Sequence, residues 1–139
     1  APAAAPARVY REAFRPSAQF PAPHMILAVA AICAPTDAEA EYLAATGDLV
    51  WVRLQRGLFE ELPTPDEALA YPYTPQDRTV VTGYRALQYI GTPESLRARI
   101  AAAADAAGAD EIMISTIVHN PSARQRSYRL LAEAFGING

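Results

Sequence analysis

Residues 25–43 read MILAVAAICAPTDAEAEYL. A short apolar run passes through a polar turn into a segment that begins with a helix cap. The same order returns at 86–100, ALQYIGTPESLRARI, and at 111–128, EIMISTIVHNPSARQRSY. Thr36, Thr92 and Asn120 take the position just before each helix, and Asp37, Pro93 and Pro121 follow as helix-starting residues. Ser, Thr, Asp and Asn side chains satisfy the free N–H groups of a first helical turn, and Pro at the first position loses no bond there. Strand, cap and helix in repetition predict βα units feeding a parallel sheet, with chemistry at the strand ends. Three such units are too few to close a barrel, so the expectation is an α/β architecture that is a piece of something larger.

Apolar residues at 25–33 do not alternate with polar ones, which predicts a strand covered on both faces. Residues 111–118, EIMISTIV, read the same way. Thr36 and Glu39 have capping-box spacing. Tyr42, Leu49 and Val52 give one apolar line, with Leu43, Val50 and Leu54 beside it, and Gly47 marks a bend or a close contact. The spacing predicts a helix over 93–107 that buries Leu96, Ile100, Ala103 and Ala107 and stops at Gly108. A second, over 121–135, buries Tyr128, Leu131 and Phe135. Residues 136–139 read as a frayed end.

Thr36 to Thr92 is 56 positions, whereas Thr92 to Asn120 is 28. The longer interval holds a Pro-rich insertion over 58–77. Pro63, Pro65, Pro72 and Pro75 forbid a long helix or a central strand there. Thr64-Pro65 with Glu67, and Thr74-Pro75, can each start a short helix. Long insertions at strand ends are often lids or pocket walls. Residues 1–7 read as a flexible Ala/Pro linker and 8–14 as the last turns of a helix, ended by Pro16.

Composition narrows the function. The chain has 139 residues, about half of them apolar, and a net charge of −3. That is one domain with a real core and no general attraction to nucleic acid or anionic membrane. All twelve basic residues are Arg. One cysteine, Cys33, excludes an internal disulfide and a cysteine-built metal site. No apolar run reaches membrane-spanning length, and no apolar leader opens the chain, so a cytoplasmic setting is expected.

His119 is the leading single candidate for chemistry. It follows the last strand and precedes a helix start, with Ser115 and Thr116 at the same strand end. It reads either as a pocket residue that bonds a substrate or flavin oxygen, or as a turn histidine bonded to a backbone carbonyl. Gly91-Thr92 opens a helix whose N-terminus attracts anions, although Glu94 opposes one and a plain structural cap is the simpler reading. Cys33 lacks a neighbouring base or cation and reads as a small buried residue. Trp51 and Tyr42 read as core or interface, and Tyr71 and Tyr73 as pocket-lining or packed loop aromatics.

The blocks YREAFRPS, ILAVAAICAPTDAEAEYLA, YIGTPESLRARI and GADEIMISTIVHNPSARQRSYRLLAEAF, in this order, resemble the C-terminal part of bacterial luciferase-like, flavin-dependent monooxygenases. The resemblance implies a (β/α)8 barrel of which this chain holds the last three strands. It also implies reduced FMN as cofactor, a separate flavin reductase as partner, and oxygenation of a small organic substrate with O2. Gly91 and Thr92 would then face the cofactor, and Cys33, Thr116 and His119 would line the substrate pocket. The barrel half that supplies the family's usual active-site histidine has no counterpart here. The isolated chain is therefore expected to be inactive and to need either that missing N-terminal half or a second copy of itself. The alternative is a self-associating αβ interaction module without catalysis, a homo-oligomer that covers its own open sheet.

Overall fold

The computed structural model describes residues 3–137. Helix α1 (Ala4–Ala13) leads to strand β1 (Ile26–Cys33) and the long helix α2 (Asp37–Gln55). Two short helices follow, α3 (Pro65–Ala70) and α4 (Pro75–Arg85). Strand β2 (Gln88–Gly91), helix α5 (Pro93–Ala107), strand β3 (Glu111–Ser115) and helix α6 (Pro121–Ala134) complete the order.

The three strands form one sheet, all neighbours parallel, in the order β2-β1-β3. Parallel pairing agrees with the repeated units. The order does not follow the chain, as an arc of three successive barrel strands would. β1 is central: its first half, Ile26 to Ala30, pairs with Glu111 to Ser115, and its second half, Ala30 to Cys33, pairs with Gln88 to Gly91. Local patterning sets which segments are strands, but pairing order depends on contacts far apart in sequence.

The caps behave as the sequence predicts in four places of five. Thr36, Thr64, Thr74 and Asn120 each accept a backbone N–H three residues on. At Thr64 and Thr74 the reciprocal bond is present as well, from the backbone N–H to Glu67 and to Asp77. At Thr36 the box is half made, because the Glu39 carboxylate is bound to Arg126 instead. Thr92 stands at the cap position of α5, but its hydroxyl makes no cap bond.

Several expectations need correction. Ala4–Ala7, read as part of a linker, lie in α1, and Ala7 is buried. Arg11 of this helix donates to the carbonyls of Ala107 and Gly108 at the end of α5, which ties α1 to the body. Residues 1–2 lie outside the described residues, as do 138–139 of the supposed frayed end. The insertion outruns 58–77, since α4 continues to Arg85. β3 ends at Ser115, and Thr116–Val118 leave the sheet.

The strands are not covered on both faces. Leu27, Val29, Ala31 and Cys33 pack on Leu96, Ile100, Ala103 and Ala104 of α5 and Leu131 of α6. On the opposite face only the end is covered, where Ile32 meets Leu43 and Ala44 of α2. Ile26 is 51% exposed and its neighbour Met113 is 58% exposed. At α6 the fully buried positions are Ala123, Ser127 and Leu131, while Tyr128 and Phe135 are half-buried.

Candidate functional site

The C-terminal ends of β1 and β2 meet because Cys33 is the register partner of Gly91. The Ala34 N–H donates to the Gly91 carbonyl at 3.2 Å and extends that ladder by one bond. Gly91 has φ +149°, a conformation side chains disfavour. A Cβ there would also stand 3.2 Å from the Asp37 carboxylate. Thr92 follows directly, its hydroxyl uncommitted within the helix cap.

On the other side of β1 the chain leaves the ladder early. Side chains take over the unpaired backbone groups. The Thr116 hydroxyl donates to the Ala31 carbonyl at 2.7 Å. The Cys33 N–H donates to the Ser127 hydroxyl at 2.9 Å, and the Thr116 N–H to the Tyr128 hydroxyl at 3.0 Å. Burial raises the Tyr128 phenol pKa, but the Thr116 N–H and Arg124 outweigh it, and the net shift is downward. Burial alone pushes the Cys33 thiol up to about 11. Cys33 is therefore a neutral core thiol and not a nucleophile at physiological pH.

His119 is exposed and reaches away from this group. Its Nδ1 lies 2.9 Å from the Leu62 carbonyl, in the insertion. A carbonyl only accepts, so Nδ1 carries the proton and Nε2 of the neutral ring is an acceptor. The histidine is bonded to a backbone carbonyl, but to one 57 residues away in the insertion and not within its own turn. His119 lines a cleft of about 870 Å³ between α2, α3 and the start of α6, together with Tyr42, Thr64, Asp66, Arg126 and Arg129. The Tyr42 hydroxyl donates to Asp66 at 3.0 Å, and that bond raises the phenol. The Thr64 N–H lowers Glu67, helped by its hydroxyl. Cys33, Gly91, Thr92 and Thr116 do not line this cleft. Among the described residues no group of three His, Cys, Asp or Glu could hold a metal ion.

Ser127 and Arg126 have no place among the residues singled out from sequence, and Tyr128 is read there only as a buried helix residue. One signal was available for the first: Ser127 stands where an apolar residue belongs in the line Ala123, Ser127, Leu131. A polar residue on a buried helical stripe implies a partner inside the core.

No known protein-family profile matches the chain. Over 128 residues it is 38% identical to the uncharacterised protein YceB of Bacillus subtilis, covering 92% of this chain and 39% of that protein. It is 33% identical to YwcH of the same organism, with the same two coverages. Against a luciferase-like monooxygenase of Escherichia coli K12 it is 26% identical over 88% of this chain and 36% of that protein. The crystal structure of apo-MsnO8 superposes with a TM-score of 0.85 at 35% identity, over 98% of this chain and 42% of that one. The chain thus spans about two fifths of the length of these relatives.

Proposed function

We propose that this chain is the C-terminal portion of a luciferase-like, FMN-dependent monooxygenase that oxygenates a small organic substrate. The observation that carries the reading is the similarity to the Escherichia coli luciferase-like monooxygenase across 88% of the chain. The fold supports it, because Cys33, Gly91, Thr92 and Thr116 all gather at the C-terminal edge of a parallel sheet, where sites in such folds lie. In a closed (β/α)8 barrel, β1 and β3 are then consecutive barrel strands, since they pair directly. β2, four residues long on the other edge, belongs to the connection between them.

Reduced FMN, when bound, supplies the electrons that activate O2. The residues present fit part of this cofactor better than another part. Thr92 offers a free hydroxyl and α5 its first N–H groups. Asp37 and Glu94 bring negative charge to the same place. Gly91 and Thr92 therefore suit the uncharged ring system more than the phosphate. Thr116 is buried with its hydroxyl bonded to the Ala31 carbonyl, and Cys33 packs in the layer under α5 and α6. His119 offers Nε2 to a substrate hydroxyl or amide, its ring orientation held by Leu62.

The full gene product, as expressed, should quench FMN fluorescence saturably. With a flavin reductase it should consume O2 faster when substrate aldehydes, alkanes or sulfonates are added. A full product that does not bind FMN overturns the reading.

The half-bare sheet favours a second reading, a self-associating module in which another copy covers Ile26 and Met113. Light scattering at low concentration separates the two: a stable monomer removes this alternative.

A further inference from the structure

A second cavity, of about 420 Å³, lies away from the strand ends between α2, α3 and α4. Small residues create it: Ala45 and Ala68 stand where larger side chains would fill the space. Tyr71 and Tyr73 wall it, their rings edge to face at 5.0 Å. The surrounding helices are pinned beside it and cannot collapse. Arg85 grips Asp48 with bonds of 2.6 and 2.8 Å, and Trp51 stacks on Tyr84 at 5.0 Å. A Cβ on Gly47 would meet the Tyr84 hydroxyl at 2.9 Å, so that contact tolerates no change of spacing.

The two charged groups of the lining are not paired with each other. Asp48, the one carboxylate there, has both oxygens bonded by Arg85, which also binds Glu41. Arg78 is the cation of the lining, 5.9 Å above the Tyr73 ring, and it forms no salt bridge among the described residues. The result is an aromatic, largely apolar cavity whose rim carries one guanidinium without a carboxylate partner among the described residues. An ammonium ligand would find no free acceptor carboxylate.

We propose that this cavity binds a small aromatic carboxylate, its ring against Tyr71 and Tyr73 and its anion on the Arg78 guanidinium. The site is separate from the flavin reading and stands or falls without it.

Phenylacetate is the probe, and benzylamine, of similar shape and opposite charge, is the control. Titrations followed by NMR shifts of the tyrosine and Leu69 signals should saturate for phenylacetate in roughly the millimolar range or tighter. Benzylamine should bind at least about tenfold more weakly, and R78Q should lose about tenfold for phenylacetate. Ala68→Leu, which fills the cavity, should abolish binding while circular dichroism stays unchanged. If that variant does not fold, R78Q at an exposed side chain decides alone. Absence of saturation, equal binding of both probes, or unaltered affinity in R78Q each overturns the proposal.

Discussion

The two faces of β1 differ more than their residues do. Leu27, Val29 and Ala31 point into a packed layer under α5 and α6, while Ile26, Ala28 and Ala30 point to a surface that is open or half-open. Both sets are apolar. The sequence at 25–33 therefore describes a strand made for two covered faces, and the described residues cover one and a half. The exposed set is small or flexible where it meets β3, at Ala28 beside Met113. The covered face supplies the stability of this chain; the bare one is where the proposed function requires further structure.

Substitution across the sheet should split along this line. Ile100→Ala, on the covered side, should cost about 2–5 kcal/mol in urea unfolding, as core truncations do. Met113→Ala, on the open side, should cost about 0.5 kcal/mol or less. Equal costs would mean that the second face is covered in solution. Ser127→Ala should cost about 1–3 kcal/mol, because it strands the buried Cys33 N–H. Amide exchange at Cys33 should quicken in that variant.

Chemical probes sharpen the same contrast. Peroxide should oxidise Met113 rapidly, whereas alkylation of Cys33 at mildly alkaline pH should be far slower than in the unfolded chain. The Cys33 pKa is raised from 9.0 to about 11 on folding. Its contribution to stability is thus complete below pH 9 and is lost as pH rises towards 11. C33A should flatten that alkaline decline, measured as Tm against pH. A small effect belongs to His119→Ala, which removes one exposed bond to Leu62. It should cost about 0.5–1 kcal/mol or less and quicken proteolysis within 58–63.

Local features were readable in advance. Asn120 and the paired boxes at Thr64 and Thr74 are short-range chemistry, and so is Gly108 in a left-handed conformation at the end of α5. The parallel direction of the strands followed from the same repeated units. Pairing order was not readable, because β1 and β3 meet across 85 residues and no short motif encodes that choice. The candidate site was legible as a place more than as a set of partners. Cys33 and Gly91 do sit side by side, but His119 turns to the insertion and Ser127 enters from α6. Those partners are supplied by tertiary packing, which overrides what neighbours in sequence suggest.

The central place of β1 has a consequence for synthesis. It precedes the other two strands among the described residues, and its neighbours are residues 88–91 and 111–115. At about 5–20 residues per second, several seconds pass between its emergence from the ribosome and the arrival of its last partner. For that interval the eight-residue apolar segment lacks one or both of these partners. Until they arrive, the apolar stretch Ile26–Cys33 is a segment on which chaperone capture or aggregation of the nascent polypeptide would centre.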